Sequence, residues 1–178
     1  MPPSFRDPRH DDHDRTTALA AQLTAVHDDL RARVRLIRDG LVRPGTTTVD
    51  AESPAAGILE HCLGFCRALQ AHHTGEDDGL FAALRVERPD LGPMLDKLVE
   101  DHHLVAGILA RVEHLVDTAT RAVDDGHRAR LVGELDGLTA IMDSHFAFEE
   151  RSIGAALDGL DDESWVEAVL SVRDDDDY

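Results

Sequence analysis

Two segments of this chain, His72-x-x-x-Glu76 and His145-x-x-x-Glu149, each set an imidazole and a carboxylate four residues apart. On an α-helix that spacing places both groups on one face, a turn apart. Glu76 is followed by Leu80 and Leu84, and Glu149 by Ile153 and Leu157, so both pairs lie in an apolar stripe that must face a core. Two carboxylates buried near each other are strongly disfavoured unless they are protonated or bound to a cation. The chemistry that suits them is metal binding, with two ions held between facing helices.

His27 and His102 extend the pattern. They stand almost as far apart in the chain as His72 and His145, and their apolar neighbours fall at matching offsets: Leu23, Leu30 and Val34 around His27, Leu98, Val105 and Leu109 around His102. A single histidine on a core stripe is ordinarily a satisfied packing residue. Six polar groups placed symmetrically on four helices are not. The candidate metal ligands are therefore His27, His72, Glu76, His102, His145 and Glu149. In the simplest wiring His27 and His72 hold one metal, His102 and His145 the other, and Glu76 and Glu149 bridge them. That leaves room for a bridging oxo or hydroxo group and an open position. Imidazole and carboxylate without thiolate suit iron or manganese, with zinc less favoured.

The elements that must position these groups are helices. The residue mix, with few aromatics, favours helix over sheet. A first helix is predicted from Thr16 or Thr17 to Gly40, with the stripe Leu19, Leu23, Val26, Leu30, Val34, Ile37 and Leu41. Ser53-Pro54 opens a second, ending before Pro89, with a kink expected at Gly75 and Gly79. A third opens at Asp90 to Pro93 and stops before Asp124-Asp125-Gly126; a fourth runs from about Arg128 to Leu157. A short fifth segment, Ser164 to Ser171, carries Trp165 and Val169 and is expected to pack across the bundle. The fold class is all-α: an up-down-up-down four-helix bundle with a short extra C-terminal helix. Residues 1–15 read as a flexible acidic arm, 16–158 as the bundle, 159–173 as the C-terminal helical segment and 174–178 as an acidic tail.

The formal charge is −18, from 18 Lys+Arg against 36 Asp+Glu. Such a surface repels nucleic acid and anionic membranes. No apolar run is long enough to span a bilayer, and Met1 to Asp14 has no secretory hydrophobic stretch, so the expected location is cytoplasmic. Cys62 and Cys66, one turn apart, read as small buried residues rather than a disulfide or a redox pair.

The series H…HxxxE…H…HxxxE, with HHTGEDDGLFAAL after the second histidine and HFAFEERSIGAAL after the fourth, resembles the hemerythrin-like HHE domain over residues 16 to 158. The resemblance implies two iron ions in a non-haem di-iron centre held by the six ligands above. It also implies a small-molecule ligand: members of the family bind oxygen, and some are linked to iron sensing, nitric oxide or peroxide handling. The expected function is to bind or react with O2, hydrogen peroxide or nitric oxide. The alternatives are a catalase-like or peroxidase-like enzyme at the same site, and a non-catalytic iron or oxygen sensor acting through a partner. The chain departs from the oxygen-carrying hemerythrins in two places. Those carry a second histidine one turn from the third-helix ligand, where this chain has Leu98 and Ala106, and they use His-x-x-x-x-Asp on the last helix, where Glu149 and Glu150 stand here.

Neighbouring histidines are placed by the stripe. His73 and His103, beside His72 and His102, are expected at the rim or behind the ligands. His61 and His114 share the ligand faces but lie roughly 16 to 18 Å away along the helix axes. The His10–Asp14 cluster reads as a solvated arm.

Overall fold

The computed structural model describes residues 8–43, 54–118, 124–157, 160 and 164–170. Helix α1 spans Pro8–Val42, α2 Pro54–Gly75, α3 Phe81–Glu87, α4 Gly92–Thr118, α5 Asp125–Ile153 and α6 Val166–Leu170. A π-helical turn, Glu76–Leu80, joins α2 to α3, and a 3₁₀ turn, Pro89–Leu91, joins α3 to α4. α1 packs on α2 and α5, and α4 packs on α2 and α5, which closes a four-sided bundle; α6 lies across α2, the π turn and α1.

The predicted stripes are the core. Leu30, Val34, Leu69, Val105, Val112, Leu135 and Leu138 are wholly buried. Asp124 caps α5, its side chain accepting a hydrogen bond from the His127 amide at 2.7 Å. Cys62 and Cys66 are buried free thiols, and burial with the neighbouring Cys62 raises the Cys66 thiol far above its usual range. They are packing residues.

Two boundaries differ from expectation. α1 takes in residues 8–15, assigned above to the arm. It also continues through Gly40 to Val42. The expected acidic tail and the loop threonines lie outside the described residues.

The apolar interior falls into two clusters. One contains Val26, Leu30, Leu69, Val105, Met142 and Phe146. The other contains Leu19, Leu23, Leu80, Phe81, Leu95, Leu98, Ile153 and Trp165. In three of the bundle arms the switch from one cluster to the other brackets candidate ligands, between Leu69 and Leu80, between Leu98 and Val105, and between Phe146 and Ile153. On α1 it falls between Leu23 and Val26, just before His27. A polar layer thus crosses the bundle between two dry ones.

Candidate metal centre

All six candidate ligands are buried, with Glu76 and Glu149 at 0% exposure. The imidazoles meet in two pairs. His27 Nε2 lies 3.1 Å from His72 Nε2, and His102 Nε2 lies 3.0 Å from His145 Nε2. Glu76 sits between the pairs, with Oε1 3.1 Å from His72 Nε2 and Oε2 3.5 Å from His102 Nε2. Glu149 does the same with one oxygen, Oε2 being 3.5 Å from His27 Nε2 and 3.6 Å from His145 Nε2.

The far nitrogens decide what the near ones are. His72 Nδ1 lies 3.0 Å from the Val169 carbonyl of α6, a group that only accepts. His27 Nδ1 lies 2.9 Å from Glu150 Oε1, and His102 Nδ1 lies 2.8 Å from Asp77 Oδ1. Each Nδ1 therefore donates, and a neutral ring then presents a bare lone pair at Nε2. Burial holds three of the rings neutral. It pushes His27 far below its usual range, with His72 and Arg31 adding to the effect. It lowers His72 to about 4, against the opposing effect of its hydrogen bond to the Val169 carbonyl, and His145 to about 3, with His102 and His72 contributing.

For His27 and His72 the lone pairs consequently face each other at 3.1 Å, a separation that repels without a cation; His145 Nε2 meets the bare His102 Nε2 at 3.0 Å, and its own Nδ1 is buried without a hydrogen-bond partner. Two donors bound at right angles to one ion, each ~2.1 Å from it, sit about this far apart. The carboxylates give the same message. Both oxygens of Glu76 and of Glu149 are buried without a hydrogen-bond partner, and burial raises both carboxyls above their usual range, Glu149 adding to the rise at Glu76. The donors fit a cation, and His27, His72 and Glu76 form one group spaced to hold a metal ion.

The supporting residues repeat like the ligands. The residue after each bridging glutamate turns to the other half of the chain: Asp77, next to Glu76, holds His102, and Glu150, next to Glu149, holds His27. Arg31 steadies Glu150 at 3.1 Å. The π turn gives Asp77 its place, since the wider coil at Glu76–Leu80 turns Glu76 inward and Asp77 toward α4. Sequence reasoning missed Asp77, and it placed Glu150 one residue beyond Glu149 as a candidate proton donor, not as the partner of His27. The acidic pair that ends each HxxxE[D/E] repeat was the available signal.

α6 supplies the third support. A Cβ on Gly75 would lie 2.8 Å from the Ala168 carbonyl oxygen, and one on Gly79 would lie 2.8 Å from the Trp165 Cβ. The two glycines expected to kink α2 instead let α6 come close enough for Val169 to reach His72.

His103 is exposed, as expected for a rim residue. His73 is not at the rim: it is buried, and its ring stacks on His102 with centroids 4.0 Å apart and 7° between planes. His73 faces α4 and α5, where it also meets the rings of His145 and Phe146, while α6 covers the opposite flank at His72 and Gly75.

The family model for the hemerythrin HHE cation-binding domain matches residues 10–157. The chain belongs to this family. None of the curated proteins or solved structures compared with it matches. Membership in a cation-binding HHE family agrees with the donor set, and this HHE domain is a metal-binding protein whose His and Glu groups are spaced to hold metal ions. Among the described residues no helix is long and apolar enough to cross a membrane.

Proposed function

We propose that this HHE domain is a non-haem di-iron protein that binds or reacts with a small oxidant such as O2, hydrogen peroxide or nitric oxide. The observation that carries the reading is the facing lone pairs of His27 and His72, the second imidazole pair His102–His145 at 3.0 Å, and four unpartnered carboxylate oxygens between the pairs. His27 and His72 would hold one iron, His102 and His145 the other, and Glu76 and Glu149 would bridge. When bound, the irons supply electrons and an open position for a small ligand. Asp77, Glu150 and the Val169 carbonyl hold the imidazole tautomers, and the apolar layers on either side exclude bulk water. A cleft of about 830 Å³ between α2 and α6 has His72, Gly75, Trp165 and Val169 in its wall, a route for a small molecule toward the layer.

A second reading, a peroxide-consuming enzyme, is favoured by Glu150. It is 24% exposed and touches both Arg31 and His27 Nδ1, so it links solvent protons to a ligand ring. Iron analysis with visible and near-ultraviolet spectra on aerobically purified protein tests the main reading. About two irons per chain with ligand-to-iron charge-transfer bands are expected; no iron after reconstitution refutes it. Peroxide dismutation by the iron-loaded protein separates enzyme from binder.

A further inference from the structure

We infer that His73 is a further metal ligand, which makes the two metal positions unequal: three imidazoles on one side, two on the other. This rests on the metal-centre reading above and goes beyond its six ligands. The donor atoms of His73, His102 and His145 lie within 4.8 Å of one another, and all three residues are buried. His73 Nε2 is buried with no hydrogen-bond partner, a costly state for an imidazole nitrogen unless something else takes its lone pair.

The pseudo-symmetry of the chain gives an internal control. The residue after His72 is His73; the residue after His145 is Phe146. Both occupy the same structural role. His73 stacks on His102 at 4.0 Å and 7°, while Phe146 stacks on His27 at 3.9 Å and 5°. If stacking were the whole of the role, phenyl would serve in both places, as it does at Phe146, and no nitrogen would be left orphaned. Only the His73 copy carries a donor, and that donor points into the His102–His145 side. His73 meets His145 edge-on at 5.4 Å, so its plane converges on the same space.

His73→Phe is the matching variant, since it keeps the stack and removes the nitrogen. Anaerobic titration of the full chain with ferrous ion is expected to show two binding steps in the wild type, and His73→Phe should weaken one of them by about tenfold or more. Mössbauer spectra of the iron-loaded wild type should contain two doublets of equal area and different splitting, a readout that does not depend on how the variant folds. A single doublet overturns the inference. So does a His73→Phe protein, folded by circular dichroism, whose two binding steps match the wild type. Wild-type protein that takes up no ferrous ion overturns the metal-centre reading itself, and this inference with it.

Discussion

At Glu76 and Glu149, stability and metal binding pull in opposite directions. Each carboxylate is fully buried without a hydrogen-bond partner, so in metal-free protein its ionised form is a net cost. Glu149→Gln should raise the thermal midpoint of the metal-free protein above pH 8, by roughly 2–4 °C for each kcal/mol recovered. The same change should abolish or greatly weaken uptake of the second iron. Calorimetric melts with and without iron check both signs; a variant that lowers both midpoints equally would mark Glu149 as a packing residue. Glu150 acts through His27. Glu150→Gln keeps a side-chain carbonyl acceptor but loses its charge, and iron affinity is expected to fall about 10–100-fold with little change in helix content.

Single elements were readable from the chain where their period was regular. The stripes of α1, α4 and α5 predicted buried positions such as Leu30, Val105 and Leu135. The α2–α3 stripe was readable as well, Leu69, His72, Glu76, Leu80 and Leu84 all being buried; the π turn that places Asp77 was not, because Gly75 and Gly79 signalled weakness there, not direction. The role of those glycines became visible only with α6 against them. Gly75→Ala would set a Cβ 2.8 Å from a backbone oxygen of Ala168, which cannot rotate away. α6 should then shift, the Val169 bond to His72 should lengthen, and iron affinity should fall about tenfold although no ligand is touched. Gly137→Ala is the contrast. That exposed mid-helix glycine has no atom within 4 Å of a new Cβ, and the change should stabilise by about 0.5–1 kcal/mol with iron uptake unaltered. Urea titrations and iron binding on both variants measure the difference.

For the whole molecule, the polar layer sets a pH profile for metal-free protein. His27, His72, His73 and His145 have lowered pKa values, so their contribution is present above the ordinary histidine value of 6.5 and is lost as pH falls below it. Glu76 and Glu149 have raised values, so theirs is present below the ordinary value of 4.5 and lost as pH rises, for Glu149 through about 8. Between 4.5 and 6.5 the four imidazoles outweigh the two carboxyls; above 6.5 only the carboxyls matter. From these groups the metal-free stability should peak near pH 6.5, and iron should flatten the alkaline limb by binding the ionised carboxylates. Denaturant midpoints measured from pH 5 to 9 with and without iron test this; an unchanged alkaline limb would count against metal at the glutamates.

The chain by itself determined the helices, the bundle and the six residues that converge in its core, because helical periodicity and the offset of four fix which side chains share a face. It did not determine how each face is filled. Adjacent residues on a helix lie about 100° apart, so sequence alone assigns His72 to the core and His73 to its edge. Tertiary structure buried His73 behind His102, and a π turn aimed Asp77 at the same ring. Which nitrogen of each ring is free depends on partners far away in the chain, such as Glu150 for His27 and Val169 for His72, and only folding brings those partners together.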